Sequence, residues 1–258
     1  IGNISLRVRS DKNSKGAMQE VVDGQQRLTT IYKFILDEYT VQGDISRKII
    51  EYIKSNRVST TEVADCLGKT GVLRDAKILN RGKFCVGSVK WVYAYGNSNW
   101  SVHEQICDVS KGDIVLIEAF DCEGRATIGE LVSKYILLYR QADAIVSNSP
   151  LRDGPRLIKE NYPIWCNGLT PIGCFNKKLD YELDEKIYNE HYNLYEGSIA
   201  VCDDSGVVII PKKYHTKEFY EKLEKIEEQE DIWFDCLDRK KWNTYDIVCL
   251  KKYLDKDN

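Results

Sequence analysis

Several things that would point to whole classes of function are scarce or missing in this chain. Charge of neither sign dominates: 37 Lys and Arg face 40 Asp and Glu, for a formal net charge of −3. No block of like charge runs long enough to form a nucleic-acid arm or a basic membrane-surface helix. No apolar run approaches the roughly 20 residues that span a bilayer, and no basic segment followed by an apolar core opens the chain. A soluble, cytoplasmic protein without membrane or nucleic-acid partners is expected. Histidine is sparse, and His103, His191 and His215 stand at no metal-ligand or triad spacing; they read as surface or hydrogen-bonded structural residues. The nine cysteines contain no CxxC pair and no zinc-type Cys/His spacing, so reduced, mostly buried thiols are expected. There is no internal repeat, and no glycine-rich dinucleotide loop follows a strand. Methionine occurs once, as Met18, and residue 1 is Ile, as expected of a fragment or of a sequence with upstream residues left out.

What is present suffices for a sizeable core: 258 residues, 43% of them hydrophobic, suit one large domain or a domain with an appendage. Residues 1–43 read as a strand-turn-helix appendage, in which Val21-Val22 leads through Asp23-Gly24-Gln25-Gln26-Arg27 into an amphipathic stretch, Ile31 to Tyr39. This resembles the DGQQR signature of ParB/sulfiredoxin-like NTPase modules of modification-dependent restriction systems. It covers only about 40 residues, a truncated piece in which no complete nucleotide site is expected. The bland alternative is that Arg27 and the glutamines decorate a solvated helix start.

Gly43-Asp44 marks the boundary to a second domain, 44–258. Ile45, Ile49, Ile50 and Ile53 recur at helical spacing behind an Asp44 cap. Ser59-Thr60-Thr61-Glu62 has capping-box spacing and Gly68 stops its helix. Strands are predicted over 72–79, 83–95, 114–117, 144–146 and 163–166, with helices over 101–107, 127–140 and just after Asp153. The alternation argues for an α/β layer. Residues 198–201 and 207–210 read as a hairpin around Cys202-Asp203-Asp204-Ser205-Gly206, with the aspartates as turn chemistry. A helix over 216–230 should turn Phe219, Leu223 and Ile226 inward, and a last one spans 245–253. The tryptophans read as packing or interface residues.

The stretch from Ala126 to Asp153 carries the chemistry. Gly129-Glu130-Leu131 opens a helix, and Arg152-Asp153 sits in the loop after the next apolar run. A helix N-terminus and a guanidinium fork both favour a carboxylate, and nearby acidic groups can hold a divalent ion. Against this stands the ordinary reading, a surface ion pair capping the helix at Gly154-Pro155, with Glu130 a favourable first-turn acid.

From about Asp44 onward the chain resembles the RraA-like proteins, the group of ribonuclease-activity regulators and class II 4-hydroxy-4-methyl-2-oxoglutarate aldolases. The resemblance runs, in order, through Ser59-Thr60-Thr61-Glu62-Val63-Ala64-Asp65, Gly68, Gly71, Gly82-Lys83 and Val86-Gly87. It continues through Lys111-Gly112-Asp113-Ile114-Val115, Gly129-Glu130-Leu131, Arg152-Asp153, Gly168-Leu169-Thr170-Pro171 and Asp204-Ser205-Gly206-Val207-Val208. It implies a three-layer β/β/α swivelling-domain fold, assembled as a homotrimer or hexamer with sites at subunit interfaces. The implied activity is metal-dependent cleavage of a small 2-oxoacid, as a 4-hydroxy-2-oxoacid aldolase or oxaloacetate decarboxylase, through a pyruvate enolate. Asp153 would hold Mg²⁺ or Mn²⁺ and Arg152 would grip a substrate oxygen and offset enolate charge. Gly129 with the backbone amides near Leu131 and Val132 would bind a carboxylate, and Glu130 would move a proton through water. The chain departs from the aldolase pattern at Arg156, where an acid is usual, and at Asn148-Ser149-Pro150, where an Asp-Gly pair is usual. A non-enzymatic regulator or binding protein of the same fold is the alternative, and Arg156 favours it.

Overall fold

The computed structural model describes residues 5–9, 18–23 and 41–254. Two compact units make up the chain, 1–45 and 46–258. In the first, strands β1 (Ser5–Arg9) and β2 (Met18–Asp23) pair antiparallel, so Val21-Val22 is a strand as its β-branched residues predict. The Gly24-to-Arg27 turn and the Ile31-to-Tyr39 helix lie outside the described residues. Helix α1 (Val41–Asn56) begins earlier than the expected Asp44 cap, which places Gly43-Asp44 inside a helix rather than ahead of one.

The second unit is built on a seven-stranded sheet of β3 (Lys77–Ile78), β4 (Cys85–Tyr95), β5 (Ile114–Phe120), β6 (Ala144–Ser147), β7 (Ile164–Cys166), β8 (Ile199–Asp203) and β9 (Gly206–Ile210). Its order is β3-β7-β6-β5-β4-β8-β9. The four central strands run parallel and both flanks are antiparallel. The sheet nearly closes on itself: Ile209 N–H donates to Gly71 O at 2.8 Å and Leu73 N–H to Val207 O at 3.0 Å, joining the segment before β3 to the last strand. Gly71 is needed there, with φ +89° and a Cβ position only 2.7 Å from Ile209 O. The expected strand over 72–79 therefore shrinks to Lys77–Ile78 plus a single bridge from Val72 to Val208.

Alternation along the strands sorts two cores. Trp91, Leu116, Val146 and Trp165 face one side, together with Ala200, Cys202, Val207 and Ile209 from the hairpin. Val92, Ile117, Ile145 and Ile164 face the other, covered by helix α3 (Trp100–Gln105), by Val132 of α4 (Glu130–Lys134) and by Leu157 of α5 (Gly154–Lys159). Helix α2 (Thr60–Cys66) starts at the predicted capping box: Ser59 Oγ accepts from Glu62 N–H and a Glu62 carboxylate oxygen accepts from Ser59 N–H. Asp203 adds a second cap, accepting from both the amide and the hydroxyl of Thr60. Its neighbour Asp204 accepts from Gly82 N–H, while Asp203 Oδ1 also accepts from Ser205 N–H, the side-chain turn bond expected at this hairpin. The hairpin is tighter than predicted, since Cys202 and Asp203 are strand residues and only Asp204 and Ser205 turn.

Helix α6 (Glu185–Tyr195) has no counterpart among the elements expected from the sequence. The reason is the kind of surface it buries. It packs Tyr188, His191, Tyr192 and Tyr195 among themselves and against Trp91, Tyr93 and Phe120, an aromatic rather than aliphatic face. Helix α7 (Lys217–Asp238) runs eight residues past its predicted end, burying Phe219 and Leu223 with Ile226 half-buried. The last segment is a π turn over Tyr245–Cys249 and a 3₁₀ turn over Lys252–Leu254 rather than one helix.

Two of the histidines are structural. His191 Nδ1 lies 2.7 Å from the carboxylate of Glu118, which also accepts from Trp91 Nε1 at 2.8 Å. Glu118 is buried to 6% exposure, so removing its carboxylate strands two donors. Glu118→Ala is expected to cost about 3 kcal/mol in urea unfolding, and Glu118→Gln distinctly less. His215 is buried, with its Nε2 near Ile210 O (3.2 Å) and its Nδ1 near Ser46 Oγ (2.7 Å), an arrangement that suits the neutral Nε2–H tautomer. Desolvation holds its pKa below the usual histidine value of 6.5, with the Lys212 charge acting the same way. The unfolded chain then binds the proton more readily. The resulting stability is complete above pH 6.5 and declines as pH falls from there toward the depressed folded value. Melting curves between pH 7.5 and about 5 are expected to fall more steeply for the natural chain than for His215→Gln.

Candidate functional site

Three segments converge beyond the carboxyl ends of β5 and β6, where open α/β sheets bind ligands. The first is 126–132, the second 148–154, and the third is the loop 167–176 after β7. Backbone bonds lace them together. Arg152 N–H donates to Ile128 O (3.1 Å), Leu151 N–H to Gly168 O (3.0 Å), Thr170 N–H to Leu151 O (2.9 Å) and Cys174 N–H to Ala126 O (2.9 Å). The Gly168-to-Pro171 motif thus acts as a clamp on the Arg152 loop. Behind it, the hydroxyls of Thr127, Ser149 and Ser147 form a fully buried chain with links of 2.8 and 2.9 Å. Asn148 Oδ1 accepts from Ala119 N–H. The Asn148-Ser149-Pro150 variation therefore supplies its own hydrogen-bonded support for the loop.

Gly129 is the N-cap of α4, and the first intrahelical bond runs from Ser133 N–H to Gly129 O. The amides of Glu130, Leu131 and Val132 precede that bond and lack intrahelical acceptors. Glu130 N–H donates instead to Asp153 Oδ2 at 3.0 Å, and Arg152 Nε lies 3.7 Å from the same oxygen. The helix begins at Glu130, three residues later than predicted, because Ala126 is bridged to the 172–174 loop and Ile128 O accepts from Arg152 N–H. After Lys134 it loosens into a π turn over Tyr135–Tyr139. Arg152 and Asp153 side chains are 52% and 42% exposed. Asp153 has φ +62° and occupies the N-cap position of α5, yet its side chain makes no capping bond. Its carboxylate is turned instead toward the start of α4, where it accepts from the Glu130 amide.

Gly129 has extended backbone, so its glycine is about space. A Cβ there would collide with Asp153 Oδ2 and come within 2.7 Å of Arg152 Cγ and 2.9 Å of Nε. The sequence-predicted residues Gly129, Glu130, Arg152 and Asp153 are thus brought into one cluster. Val132 is buried beneath it, while Leu131 is 80% exposed. Arg156 sits one turn along α5, its amide bonded to Asp153 O at 2.9 Å, with its side chain exposed.

Beside the cluster opens a cavity of about 80 Å³ that includes Gly129, Leu131, Arg152, Asn99, His103 and Cys174 in its lining. Neither Glu130 nor Asp153 lines it, so Arg152 stands between the cavity and the carboxylate. Asn99, His103 and Cys174 carry no sequence signal for this place. Asn99, the N-cap of α3, and His103, one turn into it, are joined by the bond from His103 N–H to Asn99 O, but nothing in the sequence brings α3 here. Asn99 Nδ2 donates to Thr127 O, while its Oδ1 is buried without a partner among the described residues. Among the described residues no three His, Cys, Asp or Glu side chains converge as a metal cluster.

An arginine-aspartate cluster at a helix start, on a curled mixed sheet, marks the molecule as an α/β domain. The family model described as RraA-like, Aldolase/RraA, matches residues 60–209, and the chain belongs to that family. A relative from Halalkalibacterium halodurans with the provisional name 4-hydroxy-4-methyl-2-oxoglutarate aldolase is 29% identical over 171 residues, 65% of this chain and 80% of that protein. Among solved structures, Streptomyces coelicolor RraAS2, described as an unusual member of the RNase ES inhibitor RraA family, superposes with a TM-score of 0.58. It is 20% identical and covers 72% of this chain and 96% of its own. A protein of Pseudomonas syringae pv. tomato gives a TM-score of 0.57 at 20% identity, over 74% and 92%. The fold is therefore the RraA-like α/β fold, as the motif resemblance implied. No helix among the described residues is long and apolar enough to cross a membrane.

Proposed function

We propose that the chain is a divalent-metal-assisted lyase acting on a small 2-oxoacid, by aldol cleavage of a 4-hydroxy-2-oxoacid or decarboxylation of oxaloacetate. The observation that carries this reading is the Gly129 cradle. A position without a Cβ admits the Asp153 carboxylate and the Arg152 guanidinium to the start of α4, and any side chain there would expel them.

The donor set suits a hard ion held mainly by water. Asp153 spends Oδ2 on the Glu130 amide and Arg152, which leaves Oδ1 for Mg²⁺ or Mn²⁺. When bound, such an ion supplies Lewis-acid polarisation of the substrate's keto oxygen. Arg152 binds a substrate carboxylate or keto oxygen and offsets the negative charge of the developing enolate. The amides of Leu131 and Val132 face a second carboxylate oxygen at the helix start. Glu130, half-buried beside them, orients a water that carries the proton. Because the ion would supply the electron sink for the enolate, no Schiff-base lysine is needed.

Leu131, Leu169, Ile172 and Phe175 expose apolar side chains on α4 and on the loop that walls the cavity. This supports a homotrimer or hexamer whose neighbouring subunit completes the pocket. Light scattering on the purified protein is expected to give three or six times the 29.7 kDa chain mass.

The activity test is pyruvate release by the full chain from oxaloacetate and from 4-hydroxy-4-methyl-2-oxoglutarate, with Mg²⁺ and with chelator. Turnover that chelator abolishes is expected; absence of metal-dependent turnover on both substrates removes the reading for them. Arg156 supports a second reading, a binding protein of the same fold. It adds a cation one turn from Asp153 and suits a more anionic ligand. Anion affinity that falls in Arg156→Ala, in a protein without turnover, is the outcome that selects it.

A further inference from the structure

We propose that His103 is the base for aldol cleavage: it takes the proton from the C4 hydroxyl of a 4-hydroxy-2-oxoacid held in the Arg152 cavity. The proposal rests on the lyase reading and adds to it the residue that separates a hydroxylated substrate from oxaloacetate.

The two reactions differ in their protons. Decarboxylation of oxaloacetate needs only one, delivered to the enolate carbon after carbon dioxide has left. Aldol cleavage needs that one and a base as well, because the C4 hydroxyl must lose its proton as it becomes a carbonyl. Glu130 and its water serve the proton that arrives. Neither Glu130 nor Asp153 lines the cavity, which leaves the departing proton to another group.

Among the side chains that do line the cavity, three bear a titratable group: His103, Arg152 and Cys174. A guanidinium does not give up its proton, and a thiol holds its own at neutral pH. A neutral imidazole always carries one bare nitrogen. His103 is also the histidine whose ring is unspent. His191 Nδ1 is taken up by the Glu118 carboxylate, and His215 engages Ser46 and Ile210 O through its two ring nitrogens. The bonds of His103 are made by its backbone alone, from its N–H to Asn99 O and from the Cys107 thiol to its O. Among the described residues its ring has no hydrogen-bond partner.

The fold fixes the place of this imidazole. Asn99 N–H donates to Phe175 O at 3.1 Å and Asn99 Nδ2 to Thr127 O at 2.9 Å. The N-cap of α3 is thereby tied both to the loop after β7 and to the segment that opens α4, and His103 follows one turn on. An exposed residue of a short helix is held in this way at the cavity that Gly129 and Arg152 share. With the substrate's first carboxylate at the helix start and its keto oxygen at Arg152, the cavity of about 80 Å³ is the space for C3, C4 and their substituents.

The step balances. The bare ring nitrogen of His103 takes the hydroxyl proton, the oxygen's electron pair forms the new C=O bond, and the C3–C4 bond breaks with its pair passing into the pyruvate enolate. The enolate carbon gains a proton through the Glu130 water, and His103 returns its own to solvent. One hydroxy-oxoacid becomes pyruvate and a second carbonyl compound, with one proton removed and one added.

The test compares the full chain with His103→Gln, checked for folding by its melting curve, on 4-hydroxy-4-methyl-2-oxoglutarate and on oxaloacetate with Mg²⁺. The kcat for aldol cleavage is expected to fall about a hundredfold and that for decarboxylation far less, so that the ratio of the two shifts by at least about tenfold. Calorimetric titration with citramalate, a hydroxydicarboxylate that cannot undergo this cleavage, reads the contact without metal. In chelator its affinity is expected to fall about fivefold in His103→Gln, more than that of oxalate, which has no hydroxyl. Equal losses of turnover on the two substrates, or none, overturn the proposal, as does an unchanged citramalate affinity. Decarboxylation of oxaloacetate by a natural chain that never cleaves the hydroxylated substrate also overturns it and leaves the lyase reading standing. Absence of metal-dependent turnover on both substrates removes both.

Discussion

Gly129→Ala is expected to lower kcat/KM for pyruvate release by about a hundredfold while leaving the melting temperature within a few degrees of the natural chain. The rate effect follows from geometry. The added methyl collides with Asp153 Oδ2 and presses on Arg152 Cγ and Nε, and displacing reacting groups by about 1 Å costs on the order of 10². The small stability effect follows from conformation. Gly129 has φ −140° and ψ −159°, extended backbone that alanine adopts without strain, and both displaced side chains are near half exposed and free to move outward. A loss of activity matched by a large loss of stability would instead mean that the glycine serves packing. Unchanged activity would show that the cradle is not the site.

Removing the carboxylate itself is expected to have the largest effect. Asp153→Ala should bring chelator-sensitive turnover down by about a thousandfold, the scale reached when preorganised electrostatic groups are deleted from a reacting centre. The same change frees the Glu130 amide and leaves Arg152 without its partner 3.7 Å away. Binding of a non-reacting dicarboxylate such as oxalate, measured without metal, should therefore hold or tighten as turnover collapses. Arg152→Lys separates the two groups. A point charge replaces the planar fork, so anion affinity should fall even in chelator, which Asp153→Ala does not predict. Turnover that survives Asp153→Ala would sink the metal role of that residue, and with it the enolate mechanism as drawn.

Where the fold is written in short-range patterns, the sequence is enough to read it. The capping box at Ser59 to Glu62 works through atoms three residues apart, so its spacing alone announces it. The central strands are β-branched runs bounded by turns, and the hairpin at Asp204-Ser205 is equally local. The strand expected over 72–79 is longer than the one that forms, because only Lys77–Ile78 finds a ladder partner in β7, which no local pattern encodes. Helix α6 stays hidden because its packed face is built from tyrosines and His191, which hydrophobic periodicity undervalues. The cluster of Gly129, Glu130, Arg152 and Asp153 is announced by ordered motifs, but Asn99, His103 and Cys174 join it only through the fold.

The residue types of the site, its place at a helix start and the family to which the chain belongs are all properties of residue order. They depend on neighbours along the chain, where backbone geometry limits what a side chain can reach. Folding in three dimensions adds what order cannot: Asp153 accepts from the Glu130 amide rather than capping α5, Arg152 stands between that carboxylate and a cavity, and Cys174 N–H donates to Ala126 O. These are contacts between segments roughly 20 to 50 positions apart. They exist because β5, β6 and β7 lie side by side and carry the loops that follow them to one edge of the sheet.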